Sequence, residues 1–221
     1  LSAGANARKS DGYRIPLHSA SANGHVEVVR ALLEAGAGAD VRRVDEYDDT
    51  PISYACQERH IEVFRALVEA GGDMNTPNSL GYTALHNASL FGFAEGVRYL
   101  VERGADVNMS STDEDGDTPL TLASYWGYVE VVRALLEAGA DVNKRDGLGR
   151  SPLYLALMEE PWHTEQQQQS KAQIAVLLRE AGAQELQPHE LENLQESEDE
   201  EDEEDEEDEE DEEDEEDEED E

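Results

Sequence analysis

The chain has 221 residues, with 55 acidic against 16 basic side chains and a formal net charge of −39, much of it in the unbroken carboxylate run 198–221. The first 197 residues still carry a net −15, so a surface that neutralises nucleic-acid phosphates with clustered Lys and Arg is excluded, as is attraction to an anionic membrane. At 38 % hydrophobic residues the chain can bury a core of ordinary size, and no apolar run reaches the roughly 18 residues needed to cross a bilayer.

Taken in chain order, the sequence repeats itself. Leu1-Ser2-Ala3-Gly4-Ala5-Asn6-Ala7 aligns with Leu136-Glu137-Ala138-Gly139-Ala140-Asp141-Val142, so the chain opens inside a unit, and an upstream unit or a fraying first helix pair is expected. Helix openings follow at Ile15, Thr50, Thr83, Thr118 and Ser151, spaced 35, 33, 35 and 33 residues apart. In the unit at Thr118 the hydroxyl caps a short helix and Pro119 takes its first position, where a missing N–H costs nothing. Gly127 stops that helix in a left-handed conformation. A second helix puts Val131, Val132, Leu135 and Leu136 on one buried stripe and ends at Gly139, before the Asp-Val-Asn stretch turns outward.

A period near 33 with a Thr-Pro-Leu-His-like opening resembles the ankyrin repeat, over about residues 1–183. The resemblance implies an all-α ankyrin-repeat solenoid of helix-turn-helix-hairpin units. They run over about 10–43, 44–76, 77–109, 110–144 and 145–183, after the end of a truncated repeat at 1–9. Residues 184–197 read as a short helix or linker, and 198–221 as a disordered acidic tail whose like charges repel one another. Four departures from the pattern stand out. Repeat one carries an extra Gly-Ala pair within Gly36-Ala37-Gly38-Ala39. The loop from Asn108 to Asp117 is two residues longer than its successor. Arg59 replaces the glycine found at Gly92 and Gly127. The last repeat holds about nine extra residues when Leu177 is aligned with Leu135, and the stretch 159–169 reads as an exposed mobile loop.

Catalytic chemistry finds little support. His18 and His86 hold the histidine position of the opening, where ankyrin histidines bond the turn between repeats, and Ser53, Thr121 and Tyr154 replace them elsewhere. His25 and His60 start second helices. Cys56, the single cysteine, sits at a small core position without a basic neighbour to make it a thiolate. No phosphate-binding glycine loop, nucleophile elbow or metal-ligand spacing occurs, so no enzyme, cofactor or metal is expected. Asn75, Asn108 and Asn143 lie where many ankyrin proteins are hydroxylated, and a hairpin hydrogen-bonding role is favoured for them.

Ankyrin proteins meet partners through hairpin tips and first-helix ends. Carried onto this sequence, those positions are Glu46, Tyr47, Asp49, Gln57 and Glu58 in repeat two, and Leu80, Tyr82, Leu90 and Phe91 in repeat three. Repeat four supplies Glu114, Asp115, Asp117, Tyr125 and Trp126. Aromatic faces flanked by carboxylates suit Arg and Lys side chains through cation–π contact and ion pairing. The expected function is therefore a non-catalytic, chaperone-like protein-binding module for a basic segment of a partner, with the tail adding long-range charge. Such a module is expected in the cytoplasm or nucleus, as a monomer. The alternative is a generic adaptor or scaffold whose effector domain lies upstream, with a tail that only solubilises. The tail is also compatible with a loose reservoir for divalent cations.

Overall fold

The computed structural model describes residues 15–36, 40–45, 49–72, 74–75, 77–78, 81–158, 161 and 163–185. The chain divides into two units, Leu1–Gln184 and Glu185–Glu221, and every described helix belongs to the first. The end of a repeat at 1–9, the stretch 186–197 and the acidic run 198–221 lie outside the described residues, as do Glu46, Tyr47 and Leu80.

Ten helices form among the described residues, in pairs of a short first and a longer second helix: α1 (Pro16–Ala22) with α2 (Val26–Glu34), α3 (Pro51–Gln57) with α4 (Ile61–Glu69), α5 (Ala84–Leu90) with α6 (Ala94–Glu102), α7 (Pro119–Tyr125) with α8 (Val129–Glu137), and α9 (Pro152–Leu157) with α10 (Glu165–Glu180). First helices pack on first helices and second on second, giving a two-layer solenoid, and no strand occurs among the described residues. The five anticipated openings are the N-caps. The hydroxyls of Thr50, Thr83, Thr118 and Ser151 each accept the N–H three residues on, at 3.1–3.4 Å. Ile15 has no such oxygen, and its own N–H donates instead to His18 Nδ1 at 3.2 Å.

The first helices α1, α3, α5 and α7 stop at a left-handed residue, whereas α9 ends at Met158 in an extended conformation. Gly24, Gly92 and Gly127 supply it at φ 67°, 65° and 79°, and Arg59 does so at φ 56°. An L residue there works against Cβ sterics. The Arg59 Nε partly offsets this by donating to the Phe91 carbonyl of the next unit at 2.9 Å.

The core is continuous between the layers. Phe64, fully buried on α4, meets Phe93 and Tyr99 edge-on at 5.6 and 5.9 Å. On α8, Val131, Val132 and Leu135 are buried, while Leu136, expected among them, is half-buried at the margin.

The last pair corrects two expectations. The glutamines 166–169 are the first turns of α10 and not a loop. Thr164 caps them by accepting from Gln167 N at 3.2 Å, while Gln167 Oε1 accepts from Thr164 N at 3.0 Å. With that cap, straight-chain glutamines are good helix formers. The counterpart of Leu135 is Leu178, not Leu177: Ala140 N donates to Leu135 O and Ala183 N to Leu178 O, so the insertion is one residue longer than the alignment assigned.

Candidate protein-binding groove

The fingers between units close on short main-chain bonds: Asp45 N to Asp49 O, Asn78 N to Tyr82 O and Asp146 N to Arg150 O, at 2.9–3.1 Å. The longer finger closes from Ser111 N to Asp117 O at 2.7 Å. Its two extra residues carry Asp115 and Gly116 out to the following finger, where Gly147 N donates to the Asp115 carbonyl at 2.6 Å. The approach needs glycine on both sides. A Cβ at Gly116, which has φ 56°, would lie 2.9 Å from Gly147 N, and one at Gly147 would lie 2.7 Å from the Glu114 carbonyl.

The histidines brace this framework. His86 Nδ1 accepts from Thr83 N at 3.2 Å, which leaves Nε2–H to donate to the Met109 and Asp117 carbonyls, both at 3.1 Å. His18 Nε2 bonds the Arg43 carbonyl at 2.8 Å in the same way. Burial, the largest influence on His86, lowers its pKa and keeps it a neutral donor. Asn108 and Asn143 are stitches between units. Asn108 Oδ1 accepts Asp141 N at 2.7 Å, and Asn143 Oδ1 accepts Gln184 N at 2.8 Å. Burial also pushes the Cys56 thiol up, with Asp49 adding to the effect, so Cys56 is a core side chain.

Against the fingers of units three to five lies a cavity of about 300 Å³ with a regular lining. The residues just before the caps, Tyr82, Asp117 and Arg150, form one row, and those seven after the caps, Leu90, Tyr125 and Met158, form another. Leu122 and Leu155 make the floor, and Asp115 and Trp126 the rim. Six anticipated residues therefore meet in one place: Tyr82, Leu90, Asp115, Asp117, Tyr125 and Trp126. Asp49, Gln57, Glu58, Phe91 and Glu114 do not line it. Gln57 Nε2 donates to Asp49 Oδ2 at 3.3 Å, Glu58 and Glu114 are exposed, and Phe91 packs against the core. Leu122, Arg150, Leu155 and Met158 escaped the sequence reading. Arg150 and Met158 hold in unit five the register positions that selected Asp117 and Tyr125 in unit four.

Tyr82 stacks on His86 with centroids 5.8 Å apart, while Tyr125 and Trp126 meet edge-on at 5.2 Å. Trp126 is 40 % exposed and Asp117 only 8 %. Burial raises the Asp117 carboxyl to about 6; the Thr121 hydroxyl on Oδ1 and nearby Arg150 pull it down, while Asp146 and Asp115 push it up. Burial and the neighbouring Asp117, Asp113 and Asp115 likewise drive the Tyr82 phenol upward, so it stays protonated. Arg150 is committed to Asp146, with Nε donating to Oδ2 at 2.8 Å and the backbone N–H to Oδ1 at 2.7 Å. The cavity is thus an aromatic-walled recess with an excess of negative charge.

Capped helix pairs, histidine-braced fingers and two layers are those of an ankyrin solenoid, and the chain belongs to the ankyrin-repeat family: the model "Ankyrin repeats (3 copies)" matches residues 1–78, 70–146 and 109–165. Among individual proteins it is similar to NF-kappa-B inhibitor alpha of Sus scrofa, 34 % identical over 99 residues covering 42 % of this chain and 31 % of that protein. It is also similar to Ankyrin repeat and SOCS box protein 3 of Bos taurus, 47 % identical over 90 residues covering 40 % of this chain and 17 % of that protein. The chain thus matches less than a third of the length of either curated relative. No helix among the described residues is long and apolar enough to cross a membrane.

Proposed function

We propose that this protein binds a basic segment of a partner protein in the groove of units three to five, without catalysis. The carrying observation is the cavity beside Asp115 and Asp117, whose one lining cation among the described residues, Arg150, is held by Asp146. A cationic side chain entering there gains ion pairing with the two carboxylates and contact with the Trp126 and Tyr125 faces. The tail 198–221, in this reading, raises the encounter rate with a cationic partner at low salt and guards it from other polyanions, a chaperone-like service. The unit boundaries, the cytoplasmic or nuclear setting and the monomeric state are proposed with it.

The test is capture of cationic and neutral peptides by the intact chain and by a chain ending at Ser197, at low and moderate salt. Retention of cationic peptides by both chains at moderate salt, lost on Trp126→Ala without a change in thermal unfolding, is the expected result. Binding that disappears with the tail or with salt defeats the proposal. The adaptor alternative draws on the match to a SOCS-box protein. A full reading frame encoding an effector domain would favour it.

A further inference from the structure

We propose that the cavity of units three to five is a seat for one arginine side chain of the partner, with Asp117 as its anchor. The proposal rests on the basic-segment reading and narrows it from a charge to a single side chain.

Three observations converge on that chemistry. The first is the state of Asp117, more than nine-tenths buried at the cavity wall. Its Oδ1 accepts the Thr121 hydroxyl at 3.0 Å, and no described residue donates to Oδ2. Oδ2 is therefore open to the cavity, and an incoming N–H of a charged fork can pair with it.

The second is the balance of charge. Asp115 and Asp117 line the recess with Arg150 as the opposing cation and Asp146 close behind it, while Tyr82 and His86 stay neutral. Arg150 gives its Nε and its backbone N–H to Asp146 and shares its one charge among Asp146, Asp117 and Asp115, so the two lining carboxylates are only partly neutralised.

The third is shape. Trp126, 40 % exposed, offers a planar wall beside the carboxylates, set edge-on at 5.2 Å to Tyr125, whose ring has Lys171 Nζ 5.2 Å from its centroid, and the cavity of about 300 Å³ has room for a long side chain. A guanidinium is planar, stacks on aromatic faces and pairs two-pronged with carboxylate; an ammonium is a compact, strongly hydrated point charge that does neither. The same geometry makes the seat sensitive to acid. The Asp117 carboxyl, raised by burial to about 6, must be ionised to hold the guanidinium, so affinity falls as the pH drops through that value.

The experiment titrates the intact chain with N-acetyl-arginine amide and with its lysine and citrulline counterparts. It follows the Trp126 indole N–H by NMR in a Trp162→Phe background. A saturating shift with arginine, a several-fold weaker response to lysine and none to citrulline are expected. Binding should weaken about tenfold between pH of about 7.5 and 5, as protonation of one anchoring carboxylate requires. Asp117→Asn keeps an oxygen for the Thr121 hydroxyl and so keeps the fold, and it should abolish both the binding and its pH dependence. Equal responses to the three probes, or an Asp117→Asn variant that binds like the parent, overturn the seat. If cationic peptides still bind in a Trp126-dependent way, the seat alone fails. If no cationic peptide binds, the groove reading fails with it.

Discussion

The two faces of the solenoid treat charge differently. Along the second helices arginines pair with glutamates within and between units: Arg30 meets Glu27 at 3.1 Å, Arg98 reaches Glu130 of the next unit at 3.3 Å, and Arg133 lies 3.7 Å from Glu130. Tyr99 joins the same network, with the Arg103 guanidinium 3.6 Å from its ring centroid and Arg65 at 5.3 Å. On the finger side the corresponding rows hold Tyr82, Asp117 and Arg150, with Leu90, Tyr125 and Met158, and Asp115 at the rim gives the recess two carboxylates against one guanidinium. One unit copied five times therefore builds a back on which Arg30, Arg98 and Arg133 each meet a glutamate, although Glu outnumbers Arg eight to four over α2, α4, α6 and α8, and a front whose carboxylates gather round an aromatic-walled recess. The proposed partner site lies on the front, where Asp115 and Asp117 share the guanidinium of Arg150 with Asp146.

Four changes break or sharpen that contrast, beginning with the largest. His86→Ala removes the donor that braces two carbonyls of the longer finger and should cost about 3 kcal/mol, since buried acceptors are left unpaired. A lowered urea midpoint would register it, whereas an unchanged midpoint would mean that the finger stands unaided.

Asp117→Asn should stabilise the fold at neutral pH. The folded carboxyl titrates near 6 against 3.8 for a free one, so between these values the folded state keeps a proton that the unfolded chain has released, and stability falls as pH rises. The variant escapes that fall, and the gain should approach about 3 kcal/mol at neutral pH and vanish at about pH 4. Thermal melts of both proteins across that range decide the matter; a gap independent of pH would contradict the assignment to Asp117.

Arg59→Gly relieves a left-handed φ at the loss of one exposed hydrogen bond, for a net gain of about 0.5 to 1 kcal/mol in denaturant unfolding. A loss would show that the bond to Phe91 outweighs the strain. Smallest is the back face. Arg98→Ala combined with Glu130→Ala should shift stability by less than about 0.5 kcal/mol, because the pair is exposed and screened. It should leave partner binding untouched. A clear loss of binding would move recognition to the wrong face.

Much of the scaffold could be read in advance because its rules are local. A hydroxyl before proline, followed three residues later by a group able to reach back, marks Thr50 and Thr118 without any knowledge of the tertiary fold. The position of Arg59 in a glycine slot was legible from comparison between units, and the histidine braces from the resemblance to ankyrin repeats. What escaped is what depends on several units at once. The α10 start hinged on Thr164 pairing with Gln167 inside a stretch with no counterpart in other repeats, so comparison between units misread helix as loop. Among the site residues, Asp115 and Asp117 came from register, but the hold of Asp146 on the Arg150 guanidinium depends on which side chains occupy that finger, since the equivalent Asp45 and Asn78 have no arginine four residues on. Asp49 and Gln57 share the register of Asp117 and Tyr125 and satisfy each other instead. Equivalent positions thus part company through their neighbours.

The contact between Gly116 and Gly147 also bears on how such a surface can change over generations. Each glycine leaves space for the other's backbone, so a side chain acquired at either position pushes two fingers apart, and no substitution at the other position can restore the fit. Drift is thereby blocked at the hinge of the recess, while the rims around it, Trp126 and Asp115, stay free to vary. A lineage could retarget this protein by exchanging rim residues one at a time, with the spacing of the fingers inherited unchanged.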